Sequence, residues 1–131
     1  IKSIYFIFFV CACLFGLFAC SAKAQDKFKN LSSDDFEKLI QDENIQRVDV
    51  RTVAEYSQGH IPGSLNINVL DDKFSAEADE LLDKERPVAD IVKVEEEAAM
   101  QHATDSKNGF KVYNLDKGFD NWKESGKDIE L

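Results

Sequence analysis

Apolar residues fall in short blocks along this chain, separated by charged or turn-forming residues, with one long exception near the start. From Phe28 to Leu31 the pattern suggests a brief entry segment, after which Ser32 or Ser33 can cap a helix carrying Phe36, Leu39 and Ile40 on one face. Gln46 to Val50 (QRVDV) has the β-branched content of a short strand, and Arg51-Thr52-Val53-Ala54-Glu55 starts the next turn or helix. Gly59 to Ser64 is punctuated loop, leading to a strand near Leu65 to Asn68. Ser75 is placed to open a helix with Ala78, Leu81 and Leu82 facing inward, and Pro87-Val88-Ala89 begins another strand. A helix-forming stretch runs from about Glu95 to Ser106, Lys111 to Leu115 is a further strand, and Phe119 with Trp122 forms the apolar face of a last helix ending near Gly126. Short strands alternating with helices predict a small parallel sheet covered on both faces, and right-handed crossovers make it a three-layer α/β sandwich.

The long exception changes the picture at the N-terminus. An apolar run from Ile4 to Ala19 follows Lys2, and Ala22-Lys23-Ala24 is an A-x-A cleavage pattern just before Gln25. The run is shorter than the roughly 20 apolar residues that span a bilayer comfortably, which disfavours an uncleaved anchor. Residues 1–24 therefore read as an export signal and residues 25–131 as one domain. Leu17-Phe18-Ala19-Cys20 is a second exit: it resembles a bacterial lipoprotein box, on which Cys20 would become a lipidated N-terminus. Both exits predict a periplasmic or envelope-anchored protein that meets the membrane only through its signal or lipid.

Charge and cysteine content then exclude several classes. Formal net charge is −9, and no acidic residue precedes Gln25. Setting Lys2 and Lys23 aside leaves 14 basic against 25 acidic residues, a balance of −11 for the domain. Such a surface repels phosphate backbones, so nucleic acid is not an expected partner. Cys11, Cys13 and Cys20 are the three cysteines of the chain, and all lie in the export segment. The domain thus has no disulfide and no cysteine-based metal site. His102 and Asp105 sit at helical spacing but would make only half a metal site, and no metal or other cofactor is expected.

The motifs now in view resemble a rhodanese domain. They are Val48-Asp49-Val50-Arg51 with Glu55, then Gly59-His60-Ile61-Pro62-Gly63-Ser64 with Asn66, and finally Asn108-Gly109-Phe110, Val112 and Gly118-Phe119-Asp120-Asn121-Trp122. The resemblance covers roughly Phe28 to Gly126. Most of these residues have architectural readings. Gly63 permits a positive φ and Pro62 stiffens the turn beside it. The resemblance implies a buried or half-buried Asp49–Arg51 pair, His60 is expected to be a packed, hydrogen-bonded loop histidine, and Trp122 belongs to the core.

The same resemblance implies a sulfurtransferase site between the fourth strand and its helix. There the family carries a cysteine thiolate that takes sulfur from thiosulfate or a persulfide. A glycine-rich cradle of backbone N–H groups stabilises the anion, and arginine attracts the donor. In this chain the matching stretch runs from Pro87 to Ala98, and Val92 occupies the nucleophile position. Valine cannot form a persulfide. The following loop, Lys93-Val94-Glu95-Glu96-Glu97-Ala98, has three glutamates and neither glycine nor arginine, a composition that repels anionic donors. Asp90 also interrupts a strand that should be apolar, at a cost of about several kcal/mol unless it reaches solvent or a partner.

A shift of reading frame offers a reason for this loss. With ordinary codons, Asp90 to Ala98 can be spelled GAT ATT GTA AAA GTG GAA GAA GAA GCT, and reading from the third base yields Tyr-Cys-Lys-Ser-Gly-Arg-Arg-Ser. That is a rhodanese active-site loop, with its cysteine at Val92. Two compensating one-base shifts, near Ala89–Asp90 and near Ser106, would produce the chain as written. The rival explanation is a natural loop that diverged toward another partner, since Glu95 to Met100 forms helix readily with its acids at the N-terminal end. Three functions follow as expectations. One is an exported sulfurtransferase, inactive as written, that would use a small sulfur donor and acceptor if its loop were restored. Another is a non-catalytic pseudo-rhodanese module that binds an exported protein. The third is a relative of the phosphatases of this fold, which also need the absent cysteine.

Overall fold

The computed structural model describes residues 28–103 and 109–131. Residues 1–27, which include the expected export signal and Cys20, and residues 104–108 at the end of the predicted crossover helix lie outside the described residues, as does the His102 side chain. Along the chain the elements are β1 (Phe28–Leu31), α1 (Ser33–Leu39), β2 (Gln46–Asp49), α2 (Val53–Gln58), β3 (Leu65–Asn66), α3 (Phe74–Leu81), β4 (Val88–Ile91), a 3-10 turn (Val94–Glu96), α4 (Glu97–Ala103), β5 (Val112–Leu115) and α5 (Gly118–Glu124). The five strands form one sheet in the order β1-β5-β4-β2-β3, every pairing parallel.

Parallel strands buried on both faces should read as continuous apolar runs. β4 is buried at all four positions, and its side chains divide by the period of two. Ala89 and Ile91 join Phe36, Ile40, Phe119 and Trp122 beneath α1 and α5. Val88 and Val92 join Phe74, Met100 and Val112 beneath α3 and α4. Helices thus cover both faces of the sheet, as the sequence predicts. Among the described residues, no helix is long and apolar enough to cross a membrane.

Three local expectations are corrected. Residues 28–31 are an edge strand rather than a loose entry: Phe28 to Leu31 pair in register with Val112 to Leu115. Their pattern is too polar to announce a strand, and the free edge of β5 supplies the hydrogen-bond partners. α3 begins at Phe74, one residue before Ser75, so Phe74 and Ala78 turn inward, Leu82 is partly buried and Leu81 is 53% exposed. The crossover stretch opens with a 3-10 turn before its α-helix starts at Glu97.

Candidate active-site pocket

A cavity of about 110 Å³ lies at the carboxyl ends of β2 and β4, against the start of α5. These two strands are adjacent in the sheet although β3 separates them in the chain. Such a reversal of winding is where open α/β sheets bind ligands. Arg51 follows β2, Val92 to Glu95 follow β4, and Lys117 to Asp120 close the third side. A larger cleft of about 220 Å³ lies beside Arg47, Pro62 and Trp122. Its arginine already donates to the carbonyls of Pro62 and Ile40 at 2.6 Å each.

One wall of the pocket is a buried ion pair. Arg51 Nε donates to Asp49 Oδ1 at 3.0 Å and Nη2 donates to Oδ2 at 2.7 Å, both residues being buried. The same Nη2 donates to the Gly59 carbonyl at 2.8 Å, and the guanidinium lies 4.1 Å from the Phe119 ring centroid. Asn66 Nδ2 donates to the carbonyls of Asp49 and Arg51, each at 2.9 Å. Arg51 is therefore held by Asp49, the Gly59 carbonyl and Phe119, and sets one edge of the cavity.

A capping box builds the next wall. Thr52 is the N-cap of α2, its hydroxyl accepting from the Glu55 N–H while the Glu55 carboxylate accepts from the Thr52 N–H. Across the opening, Lys93 Nζ lies 3.3 Å from Glu55 Oε2. Partial burial pushes the Glu55 carboxyl up, but the bonds from Thr52 and the charge of Lys93 outweigh it and hold the group below the usual carboxylate range. Glu55 in turn holds the Lys93 ammonium above its ordinary value.

The floor carries no nucleophile. Val92 is 1% exposed and packs with Val50, Met100 and Phe110. Its carbonyl lies 2.9 Å from where a Cβ on Gly118 would stand, and Gly118 has φ +67°, so only glycine fits this approach. The preceding Lys117 holds a left-handed φ of 62° without being glycine. Sequence reasoning missed the Lys117–Gly118 turn as a pocket wall. Its available signal was Asp116-Lys117-Gly118 directly after a strand.

Polar misfit is concentrated in the stretch from Asp90 to Glu96. Asp90 Oδ1 and Oδ2, Glu96 Oε2 and Asn114 Oδ1 are buried oxygens with no hydrogen-bond partner. Burial drives the Asp90 carboxyl well above its ordinary value; its own backbone N–H opposes this, and the charges of Glu97 and Asp49 add to it.

His60, Pro62 and Gly63 lie away from the pocket floor. His60 stacks on Tyr56 with ring centroids 3.7 Å apart, and its ring nitrogens face the Tyr56 carbonyl and Glu130 Oε1. Two backbone hydrogen bonds between His60 and Glu130 bind the C-terminal segment to this loop, a contact that sequence spacing could not reveal. Gly63 has φ +76° and packs on Arg47. Trp122 is buried, its indole N–H donating to the Asp128 carbonyl at 2.8 Å.

Comparison with known proteins bears on the whole arrangement. The Rhodanese-like domain family matches residues 32–125. The thiosulfate sulfurtransferase GlpE of Shewanella oneidensis is 31% identical over 100 residues, 75% of this chain and 95% of that protein. The tRNA 2-selenouridine synthase of Bdellovibrio bacteriovorus is 43% identical over 49 residues, 37% of this chain but only 13% of that protein. Among solved structures, the polysulfide-sulfur transferase homodimer of Wolinella succinogenes is similar with a TM-score of 0.63 and 29% identity, covering 86% of this chain and 85% of that one.

Proposed function

The chain belongs to the rhodanese-like family, and from that premise we propose that it derives from an exported single-domain sulfurtransferase and is inactive as written. The observation that carries this reading is the floor of the pocket. A cysteine persulfide requires a thiolate, and Val92, which lines the pocket after β4, is the residue we assign to the nucleophile position. No cysteine follows Cys20 in the sequence, so no neighbouring thiol can take over the role. Glu95 lines the opening beside Lys93, and Glu96 and Glu97 follow it, so the loop offers carboxylates where a sulfur-anion cradle needs arginine and glycine.

The two-shift account of the loop gains support from the misfit. Among the described residues, three of the four orphaned buried oxygens belong to Asp90 and Glu96, inside the window that the second frame would rewrite. That frame replaces Glu95 with glycine and Glu96 and Glu97 with arginine, the residues a sulfur-anion cradle needs. Export rests on the Ile4–Ala19 run and the Ala22-Lys23-Ala24 site, with lipidation at Cys20 as the second exit. The intact scaffold also suits a protein-binding role, a reading favoured by Val94, 56% exposed at the pocket mouth.

A thiosulfate–cyanide sulfur-transfer assay tests the proposal. The chain as written should give no turnover. Val92→Cys alone should recover little, because nearby carboxylates raise a thiol's pKa. Replacing residues 92–98 by Cys-Lys-Ser-Gly-Arg-Arg-Ser should restore transfer. Turnover by the unaltered chain overturns the reading, and coding DNA lacking Tyr-Cys in the second frame overturns the two-shift account.

A further inference from the structure

Asp90 faces the same side of the sheet as Val88 and Val92, in the layer beneath α3 and α4. Strand register sets it beside Asn114 of β5, and Asn114 beside Asn30 of β1. Three polar side chains therefore form a row across three adjacent strands of an otherwise apolar layer. Asn114 Nδ2 donates to Asn30 Oδ1 at 2.8 Å, and Asn30 is exposed at the sheet edge. What the row lacks is a donor: Asn114 Oδ1 and both Asp90 oxygens are buried without partners. On the other side of Asp90, the register partner in β2 is Val48, which offers no donor.

The charged groups that bear on Asp90 are Asp49 in β2 and Glu97 in α4, and both are acids. Arg51, the cation paired with Asp49, is committed to that carboxylate and to the Gly59 carbonyl. An isolated carboxylate in such a place is strongly disfavoured, and the group neutralises instead. A neutral acid is also the one form of Asp90 that supplies the missing donor.

We propose that Asp90 is a proton lock on β4: it sits in the core as a carboxylic acid, donates its proton to Asn114 Oδ1, and on ionising loosens the strand that carries the pocket floor. The hydrogen bonds then run Asp90 to Asn114 to Asn30 and reach solvent at the edge strand. Only one residue, Ile91, separates Asp90 from Val92, so strain in the lock reaches the pocket directly. The lock is a property of the chain as written and is independent of sulfur transfer.

The linkage has a definite sign. In the unfolded chain Asp90 ionises in the ordinary range, near pH 4, while in the fold it keeps its proton to higher pH. The native state then binds the extra proton, so stability is fully present below that range and is lost as pH rises through the folded value. One linked proton changes the unfolding constant by up to about tenfold per pH unit.

Two measurements on the full chain test this. Infrared spectroscopy at neutral pH should show a buried carboxylic-acid C=O band that is absent from Asp90→Asn and vanishes from the wild type as pH is raised. Urea unfolding across pH 4 to 8 should show the wild type losing stability relative to Asp90→Asn and Asp90→Val. The unfolding constant at pH 8 should be at least about tenfold lower in the variants. Flipping both amides would instead present N–H to an ionised Asp90, and would leave no acid band. An absent band, or parallel pH dependence in wild type and variants, overturns the proposal. Should neither variant fold, the wild-type band decides alone: titrating away at high pH supports the lock, and missing above roughly pH 5 refutes it.

Discussion

Arg51 shows how much of the pocket depends on a single side chain. Its planar fork meets both oxygens of Asp49, caps the Gly59 carbonyl and lies over Phe119, three roles that one geometry satisfies together. Lysine offers a point charge on a flexible stem and cannot reproduce the fork. Arg51→Ala would leave Asp49 buried and uncompensated, and should cost about 3–5 kcal/mol in urea unfolding. Arg51→Lys should fall between that variant and the wild type. Equal stability for all three would mean that solvent reaches Asp49 freely. Asp49 and Arg51 were legible as a spaced pair in the sequence, but the Gly59 carbonyl and the Phe119 ring were not. Those partners arrive from 8 and 68 positions away, a convergence that only the closed fold creates.

At the scale of elements, α2 is six residues long and exposes every residue at least partly, so packing contributes little to it. Its capping box supplies what the core does not. Thr52→Ala should destabilise the protein by about 1 kcal/mol and free the Glu55 carboxylate. The Glu55 contribution has the opposite pH sign to that of Asp90. Its folded-state value is lowered, so its stabilisation is present above the ordinary carboxylate range and is lost as pH falls through the lowered value. The stability difference between wild type and Glu55→Gln should therefore shrink on acidification, measured by urea unfolding at a series of pH values. A constant difference would show that the Thr52 and Lys93 contacts do not act through the charge. The sequence placed the start of a turn or helix at Arg51 to Glu55 without its capping box being read, and β1 was not anticipated as a strand. A four-residue strand with two exposed polar positions becomes a strand only because β5 presents an open edge.

For the whole molecule, net charge sets an expectation about partners. Residues 25–131 carry 14 basic and 25 acidic residues, a balance of −11, while the preceding segment carries lysine alone. The domain without its first 24 residues should neither shift duplex DNA nor sediment with anionic vesicles at low salt, where surface electrostatics act furthest. Binding in either experiment would reveal a basic patch that the sum of charges conceals.

Composition, periodicity and three motif blocks were enough to establish the α/β sandwich, the family resemblance and the missing thiol. Those properties are local: the alternation of strand and helix, the turn residues of Gly59 to Ser64, and the presence or absence of a sulfur atom are written residue by residue. Tertiary structure decided which distant groups meet. It set Asn30, Asn114 and Asp90 side by side, tied Glu130 to His60, turned Leu81 outward and pressed Gly118 against the Val92 carbonyl. Strand order and helix rotation control these contacts, and both are outcomes of burying the two faces of the sheet at once, which no single segment can specify.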